Sequence, residues 1–330
     1  MAALIWAAKP WWLRLRSMLV SFVIVLLSHI ALVMVPRLFP SLSLSAMLPI
    51  AGFLMYSTYA LAGWLRRILG IPASAPAMVT GHVLFLWAVH ITVIREVIPN
   101  LLDASLNMEC LLLLFGVYRF VSGDPGLVSI ESTSSGPLVF PEPIGIELSC
   151  SQALAQTDSS TVDLPNTSSL HILRVRCCYC CKRSVKGFDH HCPAFGNCIG
   201  QKNHQLFMVL IMFFIITEGT YTICSNQFIK VSSGAHEVKF ERIFSGDLVI
   251  STLLFSSLQV LWQVPFLSWH IYCICYNIKT EEWVNWQKYP EFQVTEPQKD
   301  SRFTVTRFVN PYNMGILSNI KEYLRPKFSC

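Results

Sequence analysis

The sequence predicts an α-helical polytopic membrane protein with about six transmembrane helices and a cysteine-rich segment between the fourth and the fifth. Three observations support this fold class. Of the 330 residues, 53% are hydrophobic and only 14% are charged, whereas about 25% of an average soluble domain is charged. The hydrophobic residues are concentrated in long blocks, and a helix needs about 20 mostly apolar residues to cross a bilayer. Five of the twelve cysteines lie within the sixteen residues 177–192.

Six hydrophobic blocks are long enough to form membrane-spanning helices. The predicted spans are, in order, 18–35, 44–65, 77–94, 101–117, a block that begins at Leu206, and 248–276. Small or polar residues interrupt the second and the fourth block. We expect six crossings, which place both termini on the same side of the membrane.

Positive charges indicate which side that is, because lysine and arginine are enriched in cytoplasmic loops. The basic residues of the N-terminal segment and of the connection between spans two and three are Lys9, Arg14, Arg16, Arg66 and Arg67. The alternate short connections carry one basic residue each. We therefore expect a cytoplasmic N-terminus, with residues 119–204 and the tail from Ile278 also in the cytoplasm.

A cytoplasmic location bears on how the cysteines are used. In a reducing compartment, cysteines serve metal binding or catalysis more often than disulfides. Residues 127–170 are rich in Ser, Thr and Pro and are typical of a loose linker. Residues 171–204 are basic and cysteine-rich, with too few aliphatic residues for an ordinary core. Such a segment needs a metal ion to fold.

The spacing of three cysteines and a histidine favours one zinc site. Cys178 and Cys181 form a CxxC pair whose thiolates can face one ion, and His191 and Cys198 supply the other corners of a Cys3His tetrahedron. This donor set is that of a closed structural zinc site. The alternative is a redox-active CxxC pair, but such a pair usually opens a helix in a βαβ unit, which is not predicted here. Zinc is the better prediction.

Asp189, His190 and Cys192 remain after the zinc ligands are assigned. A thiol becomes a competent nucleophile when a neighbouring imidazole or positive charge favours the thiolate. His190 would take the proton, and Asp189 would hold that imidazole in the required tautomer. The residues alone equally allow another interpretation, in which His190 and Cys192 bind a second metal ion.

Two motifs in the middle of the chain resemble those of the DHHC protein S-acyltransferases, the palmitoyltransferases. The sequence DHHCP at 189–193, followed by GNCIG at 196–200, is similar to the cysteine-rich domain of that family. The sequence DPG at 124–126 stands just after a predicted span, as the family's DPG motif does.

Two motifs near the C-terminus extend the resemblance. The sequence NIKTEEW, which follows the last span, is similar to the family's TTxE motif, with Thr280 and Glu282 matching and Lys279 departing. The sequence NPYNMGILSN at 310–319 resembles the family's NPxxxGxxxN element. All four motifs occur in the family's order around the predicted spans.

The resemblance implies a protein-cysteine S-palmitoyltransferase. Cys192 would attack the thioester of a long-chain acyl-CoA, the co-substrate, and a cysteine of a substrate protein at the membrane would then take the acyl group. His190 would be the base, Asp189 its orienting partner and His191 a zinc ligand. The acyl chain would lie in a cavity between the spans, because burial of each CH2 group is worth about 0.8 kcal/mol. Cys192 would then lie at the cytoplasmic membrane face.

The sequence also departs from the family, which usually has two zinc sites where only one is intact here. The positions aligned with the ligands of the other site hold Leu164, Thr167, Cys177 and Ser184, where the family has Cys, Cys, His and Cys. We expect this site to be lost; the residues available to rebuild it are Cys177, Cys180, Cys150 and His171. Ala194 stands where the family has a tryptophan. These departures leave open a catalytically weak or inactive DHHC-like membrane scaffold.

Further polar residues have more than one interpretation. Those within the predicted spans are His29, His82, His90, Glu109, Glu218 and His270. Interhelical hydrogen bonding is their commonest use, and a transporter with a zinc-stabilised loop is a less favoured alternative. A basic run consists of Arg174, Arg176, Lys182, Arg183 and Lys186. It indicates either a solvated face beside anionic lipid headgroups or a surface that attracts the phosphates of CoA.

These expectations divide the chain into five parts. They are the N-terminal helices (1–119), the DPG segment and linker (120–170), the DHHC zinc domain (171–204), the last two helices (205–277) and a cytoplasmic tail (278–330). The resemblance favours an endomembrane, the Golgi or the ER, over the plasma membrane. Nucleic acid is not an expected partner, because the net charge of +5 is modest and no recognition module is present.

Overall fold

The structure is a computed structural model that describes residues 10–70, 72–128, 174–233, 240–297 and 304–325. Most of the predicted linker, including Cys150, Leu164 and Thr167, lies outside the described residues, and so does His171 at the start of the predicted zinc domain. The prediction that this segment is a loose linker therefore stays a prediction.

Six helices in the described part of the chain are long and apolar enough to cross a membrane. They are α1 (Trp11–Leu38), α2 (Leu44–Ile68), α3 (Ala75–Val89), α4 (Asn100–Ser122), α5 (His204–Ser233) and α6 (Phe240–Cys275). A π-helical turn, His90–Ile94, and a 3-10 turn, Arg95–Val97, prolong α3. The predicted number of six apolar helices is confirmed. Helix α1 starts at Trp11, before the predicted span. The prediction missed these first turns because they contain Arg14 and Arg16 and therefore lie outside the apolar block.

The six helices pack around a shared apolar core. Helix α5 contacts α4 and α6, and α1 contacts α2, α3 and α6. Leu32, Leu106 and Phe255 are fully or almost fully buried between them. Outward-facing side chains such as Phe53 and Leu101 are large, apolar and exposed. An apolar outer surface of this kind is what a helix bundle presents to lipid.

The cysteine-rich segment follows α4 in the chain and forms two small antiparallel hairpins. Strand β1 (Val175–Cys178) pairs with β2 (Arg183–Lys186), and β3 (His190–Cys192) pairs with β4 (Asn197–Ile199). Besides cysteine side chains, the buried cluster of this segment contains only Val185 and Phe188. A core this small does not hold two hairpins together by apolar burial alone. The thiols of the same cluster are therefore candidates for cross-linking the hairpins through a metal ion.

The residues after α6 form a compact C-terminal segment. It contains α7 (Thr280–Val284), the 3-10 turns Trp286–Lys288 and Pro290–Phe292, the antiparallel strands β5 (Gln293–Pro297) and β6 (Thr304–Phe308), and α8 (Ile316–Leu324). Asn310 Nδ2 donates a hydrogen bond of 2.6 Å to the carbonyl of Tyr276, and Asn319 Nδ2 donates one of 2.8 Å to that of Cys275. The NPxxxGxxxN-like element thus satisfies carbonyl groups that the end of α6 leaves free.

Candidate active site

Strand β3 directs three consecutive functional side chains to two faces. Successive side chains in a strand point in opposite directions, so His190 and Cys192 share one face while His191 lies on the other. His191 pairs directly with Cys198 of β4, and its Nδ1 lies 3.6 Å from Cys198 Sγ. His190 and Cys192 instead line one cavity among the helices. The alternation of side chains along the strand therefore directs His191 toward the cysteine cluster and directs His190 and Cys192 toward the cavity.

The structure brings the four predicted zinc ligands together. The donor atoms of Cys178, Cys181, His191 and Cys198 all lie within 4.8 Å of one another. Cys181 Sγ is 3.4 Å from His191 Nδ1 and 3.5 Å from Cys198 Sγ. These separations approach the ligand–ligand spacing of a tetrahedral site with bonds of about 2.0–2.3 Å. The donor set and its geometry fit zinc.

Local backbone geometry builds the CxxC half of this cluster. The amide of Lys182 donates a hydrogen bond of 2.6 Å to the carbonyl of Cys178, and the amide of Cys181 points at Cys178 Sγ from 3.4 Å. A hydrogen bond with Cys198 lowers the pKa of Cys178 to about 3, although burial opposes this shift. The same hydrogen bond raises the pKa of Cys198, so the cluster favours one thiolate, the form in which cysteine ligates a metal.

The second zinc position of the family is altered in this chain. Of its four aligned residues, Cys177 and Ser184 are described, and they face each other across β1 and β2. Cys177 is disulfide-bonded, unlike the reduced cysteines that we expected. Cys180 is exposed. The second group of possible ligands that the described residues bring together contains no cysteine and consists of Asp189, His190 and His270. The expected loss of the family's second zinc site stays a prediction.

Asp189 and His190 form a close hydrogen-bonded pair. His190 Nδ1 lies 2.7 Å from Asp189 Oδ2, and Asp189 is completely buried. Burial opposes ionisation, but the hydrogen bond with His190 and nearby positive charge hold the pKa of Asp189 well below its usual range. Burial also opposes charge on His190, yet hydrogen bonds with Asp189 and Cys192 raise its pKa to about 9. The arrangement favours an imidazolium beside the Cys192 sulfur.

The other oxygen of Asp189 is held by the segment that resembles TTxE. The amide of Thr280 donates a hydrogen bond of 3.0 Å to Asp189 Oδ1, and the amide of Glu281 donates one of 2.9 Å to the Asp189 carbonyl. Asp189 is therefore fixed from two sides, by its own hairpin and by the start of α7. This makes α7 a support for the Asp189–His190 pair.

Glu282 anchors α7 to the cysteine-rich segment. Its two oxygens accept hydrogen bonds of 2.9 and 2.6 Å from Arg174, and the amide of Lys279 donates one of 2.9 Å. The Arg174 guanidinium also stacks on the ring of Tyr312 at 4.0 Å. Arg174 thus serves a buried ion pair, and Arg176 pairs with Glu291. Two members of the basic run therefore have structural roles. The residues of the run that could still attract CoA phosphates are Lys182, Arg183 and Lys186.

Lys279, the departure from the family motif, is half-buried beside the pair. Its Nζ lies 3.3 Å from His204 Nδ1, at the start of α5. Burial first, and then the neighbouring charge of Arg174, lower the pKa of Lys279. The charge of this lysine is one of those that keep Asp189 ionised.

Cys192 opens into an apolar cavity among three helices. The thiol is 6% exposed, and the cavity has a volume of about 360 Å³. Its walls include Val83 of α3, Ile211 of α5 and Phe266 of α6. Ala194 also lines it, next to the catalytic candidates. A cavity between the apolar helices is therefore present, and the predicted nucleophile is one of its lining residues.

Sequence reasoning did not find every residue of this site. His270 of α6 is fully buried, and its Nδ1 lies 3.8 Å from Asp189 Oδ2. Its ring tilts against that of His190 with a centroid separation of 5.4 Å. A histidine inside an apolar block was the available signal, but only folding brings residues 270 and 189 together.

Known proteins share this region of the chain. Residues 165–287 match the DHHC palmitoyltransferase family. Palmitoyltransferase ZDHHC17 of Mus musculus is 28% identical over 195 residues, which cover 53% of this chain and 29% of the relative. Palmitoyltransferase AKR1 of Mortierella alpina is 31% identical over 128 residues, covering 36% and 23%. Probable protein S-acyltransferase 3 of Arabidopsis thaliana is 25% identical over 223 residues, covering 62% and 48%.

The chain matches less than half the length of each of these relatives. The match nevertheless includes the zinc-ligand candidates, the DHHC sequence and the TTxE-like segment. The resemblance seen in the sequence is confirmed, and the chain contains a DHHC palmitoyltransferase domain.

Proposed function

We propose that this protein is a protein-cysteine S-acyltransferase that moves a long-chain acyl group, such as palmitoyl, from acyl-CoA to cysteines of substrate proteins. The observation that supports it best is the position of Cys192. Its thiol lies at the mouth of an apolar cavity and beside His190, whose other ring nitrogen is held by Asp189. Nucleophile, base and acyl-chain site therefore meet at one point.

The proposed reaction has two steps of the same kind. His190 accepts the proton of Cys192, whose sulfur attacks the thioester carbonyl carbon of acyl-CoA. A carbon–sulfur bond to Cys192 forms, the bond to the CoA sulfur breaks, and CoA leaves with the proton from His190. In the second step His190 accepts the proton of a substrate thiol, which attacks the acyl-enzyme and regenerates the Cys192 thiol. Asp189 stabilises the imidazolium in both steps.

Zinc would act as a structural ion in this scheme. Cys178, Cys181, His191 and Cys198 would hold it, and it would supply the cross-link that the small core of the two hairpins lacks. Because His191 and Cys192 are adjacent, holding the first also fixes the backbone that carries the second.

Membrane topology is part of the proposal. Six apolar helices would cross the bilayer, with the zinc domain and both termini in the cytoplasm, where acyl-CoA is available. In this topology the five parts of the chain keep the boundaries given above. The proposed location of the protein is an endomembrane, the Golgi or the ER. The concentration of Arg14, Arg16, Arg66 and Arg67 at the corresponding helix ends supports this orientation.

The two other functions have less support. The transporter would need a polar path, but several polar groups in the helices form local pairs. His82 Nδ1 lies 3.1 Å from His29 Nε2, its Nε2 lies 2.5 Å from Tyr59 Oη, and His90 lies 2.9 Å from Asp103. The inactive scaffold would keep the fold without the chemistry, but the complete Asp189–His190–Cys192 arrangement favours activity.

Autoacylation tests the proposal. Detergent-purified protein would be incubated with palmitoyl-CoA, and the hydroxylamine-sensitive acyl adduct would be measured together with the zinc content. We expect an adduct on the wild type and on Cys224→Ser, a matched control for a buried cysteine in α5, but not on Cys192→Ser. A zinc-loaded wild type without adduct would overturn the transferase proposal and favour the scaffold.

A further inference from the structure

A buried carboxyl group lies at the inner end of the Cys192 cavity. Glu218 of α5 lines this cavity and also a much smaller one behind it. The residue is only 7% exposed. Its carboxyl group interacts with the Ser256 hydroxyl of α6, but its buried Oε2 makes no hydrogen bond of normal geometry among the described residues. An ionisable group in an apolar helix bundle is costly and points to a function.

Two helices independently indicate that the cavity extends far from the nucleophile. The ring of Phe207 on α5 lies 5.8 Å from that of His190, and Glu218 is eleven residues further along the helix. At 1.5 Å per residue the separation is about 16 Å. On α6, Phe266 lies 6.4 Å from His190, and Phe255, another lining residue, is eleven residues away. The cavity therefore reaches about as deep as a long acyl chain.

The other polar side chains that line this cavity are hydrogen-bonded to neighbours or lie closer to the nucleophile. Both ring nitrogens of His82 are occupied by His29 and Tyr59. Gln259 Oε1 accepts a hydrogen bond of 2.6 Å from Trp262 Nε1. Gln263 Oε1 is unpaired, but Gln263 is one turn from Phe266 and therefore close to the mouth. Among the described residues that line the cavity, Glu218 is the only carboxylate, and it lies at the deep end.

We propose that the cavity accepts acyl chains that carry a hydroxyl group at or near the end opposite the thioester. This inference rests on the proposed transferase function and concerns its substrate class. The hydroxyl would hydrogen-bond to Glu218, as donor or acceptor according to the protonation of the carboxyl group. The methyl end of an unsubstituted chain would instead leave Glu218 Oε2 without a partner, which is unfavourable in an apolar site.

The test is a competition between two acyl-CoAs of equal chain length. Detergent-purified protein would receive equal amounts of an unsubstituted acyl-CoA and its ω-hydroxy counterpart, in a series from dodecanoyl to hexadecanoyl. Mass spectrometry of the Cys192 peptide would give the ratio of the two adducts. At the best chain length we expect about a tenfold preference for the hydroxylated chain, the scale of one unsatisfied buried group.

Three variants identify the source of the preference. Glu218→Leu should abolish it, whereas Glu218→Gln, which keeps hydrogen-bonding atoms, should retain most of it. Glu109→Gln is the matched control, because Glu109 is a glutamate of α4 that bonds Thr220 at 3.2 Å and does not line the cavity. Zinc content and elution as a single species would show that each variant is folded.

The outcomes separate this inference from the function on which it rests. Adducts without a hydroxyl preference in the wild type would overturn the inference alone and indicate that water satisfies Glu218. A preference that persists in Glu218→Leu would also overturn it. The absence of both adducts from zinc-loaded wild type would overturn the transferase proposal together with the inference.

Discussion

Replacing Glu282 by alanine is expected to release α7 from the cysteine-rich segment. In the native protein Glu282 is 1% exposed and its partner Arg174 is 8% exposed. The substitution removes two hydrogen bonds from the guanidinium, of 2.9 and 2.6 Å, and one from the backbone of Lys279. It leaves the positive charge of Arg174 buried without its counter-ion.

The magnitude follows from what Arg174 keeps. Removal of one partner of a buried ion pair costs about 3–5 kcal/mol. Arg174 still donates to the Asn277 side chain at 2.8 Å and to its carbonyl at 3.0 Å, and it still stacks on Tyr312. We therefore expect a loss near the lower limit, about 3 kcal/mol in the free energy of unfolding. Acyl-enzyme formation should fall as well, because the Thr280 amide would no longer hold Asp189.

Thermal unfolding of purified protein, followed by zinc release, measures the effect. Glu291→Ala is the control, because the carboxylate of the Arg176–Glu291 pair is 24% exposed; its loss should cost about 1 kcal/mol. The double variant Arg174→Met/Glu282→Leu should be more stable than Glu282→Ala, since it leaves no buried charge unpaired. Equal losses in the two alanine variants, or a double variant no better than Glu282→Ala, would refute the reasoning.

Three further predictions concern the same domain. A Cβ on Gly200 would lie 2.3 Å from a neighbouring carbonyl oxygen, so Gly200→Ala should cost about 1–3 kcal/mol in thermal unfolding; Gly219→Ala, where nothing lies within 4 Å, should cost little, and equal losses would contradict this. Cys198→Ala should lose the bound zinc in metal analysis while Cys192→Ala retains it; retention by both would remove Cys198 from the ligand set. The third prediction concerns pH. Burial of Glu282 opposes its ionisation, but the ion pair with Arg174 lowers its pKa. The stability that this ion pair adds is present above the pKa of Glu282 in the unfolded chain, and it is lost as the pH falls through the pKa in the folded protein. Glu282→Gln should therefore flatten the acid side of a plot of unfolding free energy against pH. An unchanged plot would exclude the ion pair.

Local sequence was enough to predict the helices and the zinc ligands. A membrane span is a one-dimensional signal, because its length and apolar composition alone meet the requirement of the bilayer. The set Cys178, Cys181, His191 and Cys198 could be chosen because its two halves, a CxxC turn and the hairpin of β3 and β4, are short-range structures. Helix ends were less predictable, as the early start of α1 shows, since helices continue beyond their apolar blocks into the interface.

The supporting residues of the site could not be read from the sequence. Arg174 looked like one of several surface cations, but the fold buries it against Glu282, 108 residues later. His270 looked like an isolated polar residue in a span, but helix packing brings it beside Asp189. Both contacts depend on tertiary packing, which no local pattern encodes.

By itself, the sequence determined the class of protein, the number of apolar helices and which residues of the DHHC segment are candidates for metal binding and catalysis, because composition, length and ligand spacing are local properties. Only the tertiary structure decided which cavity the Cys192 thiol faces, how deep that cavity is and that Glu218 is part of its lining. The physical reason is that a cavity is the space left among α3, α5 and α6, and its walls come from residues more than a hundred positions apart. Their shared surroundings exist only after the helices have packed.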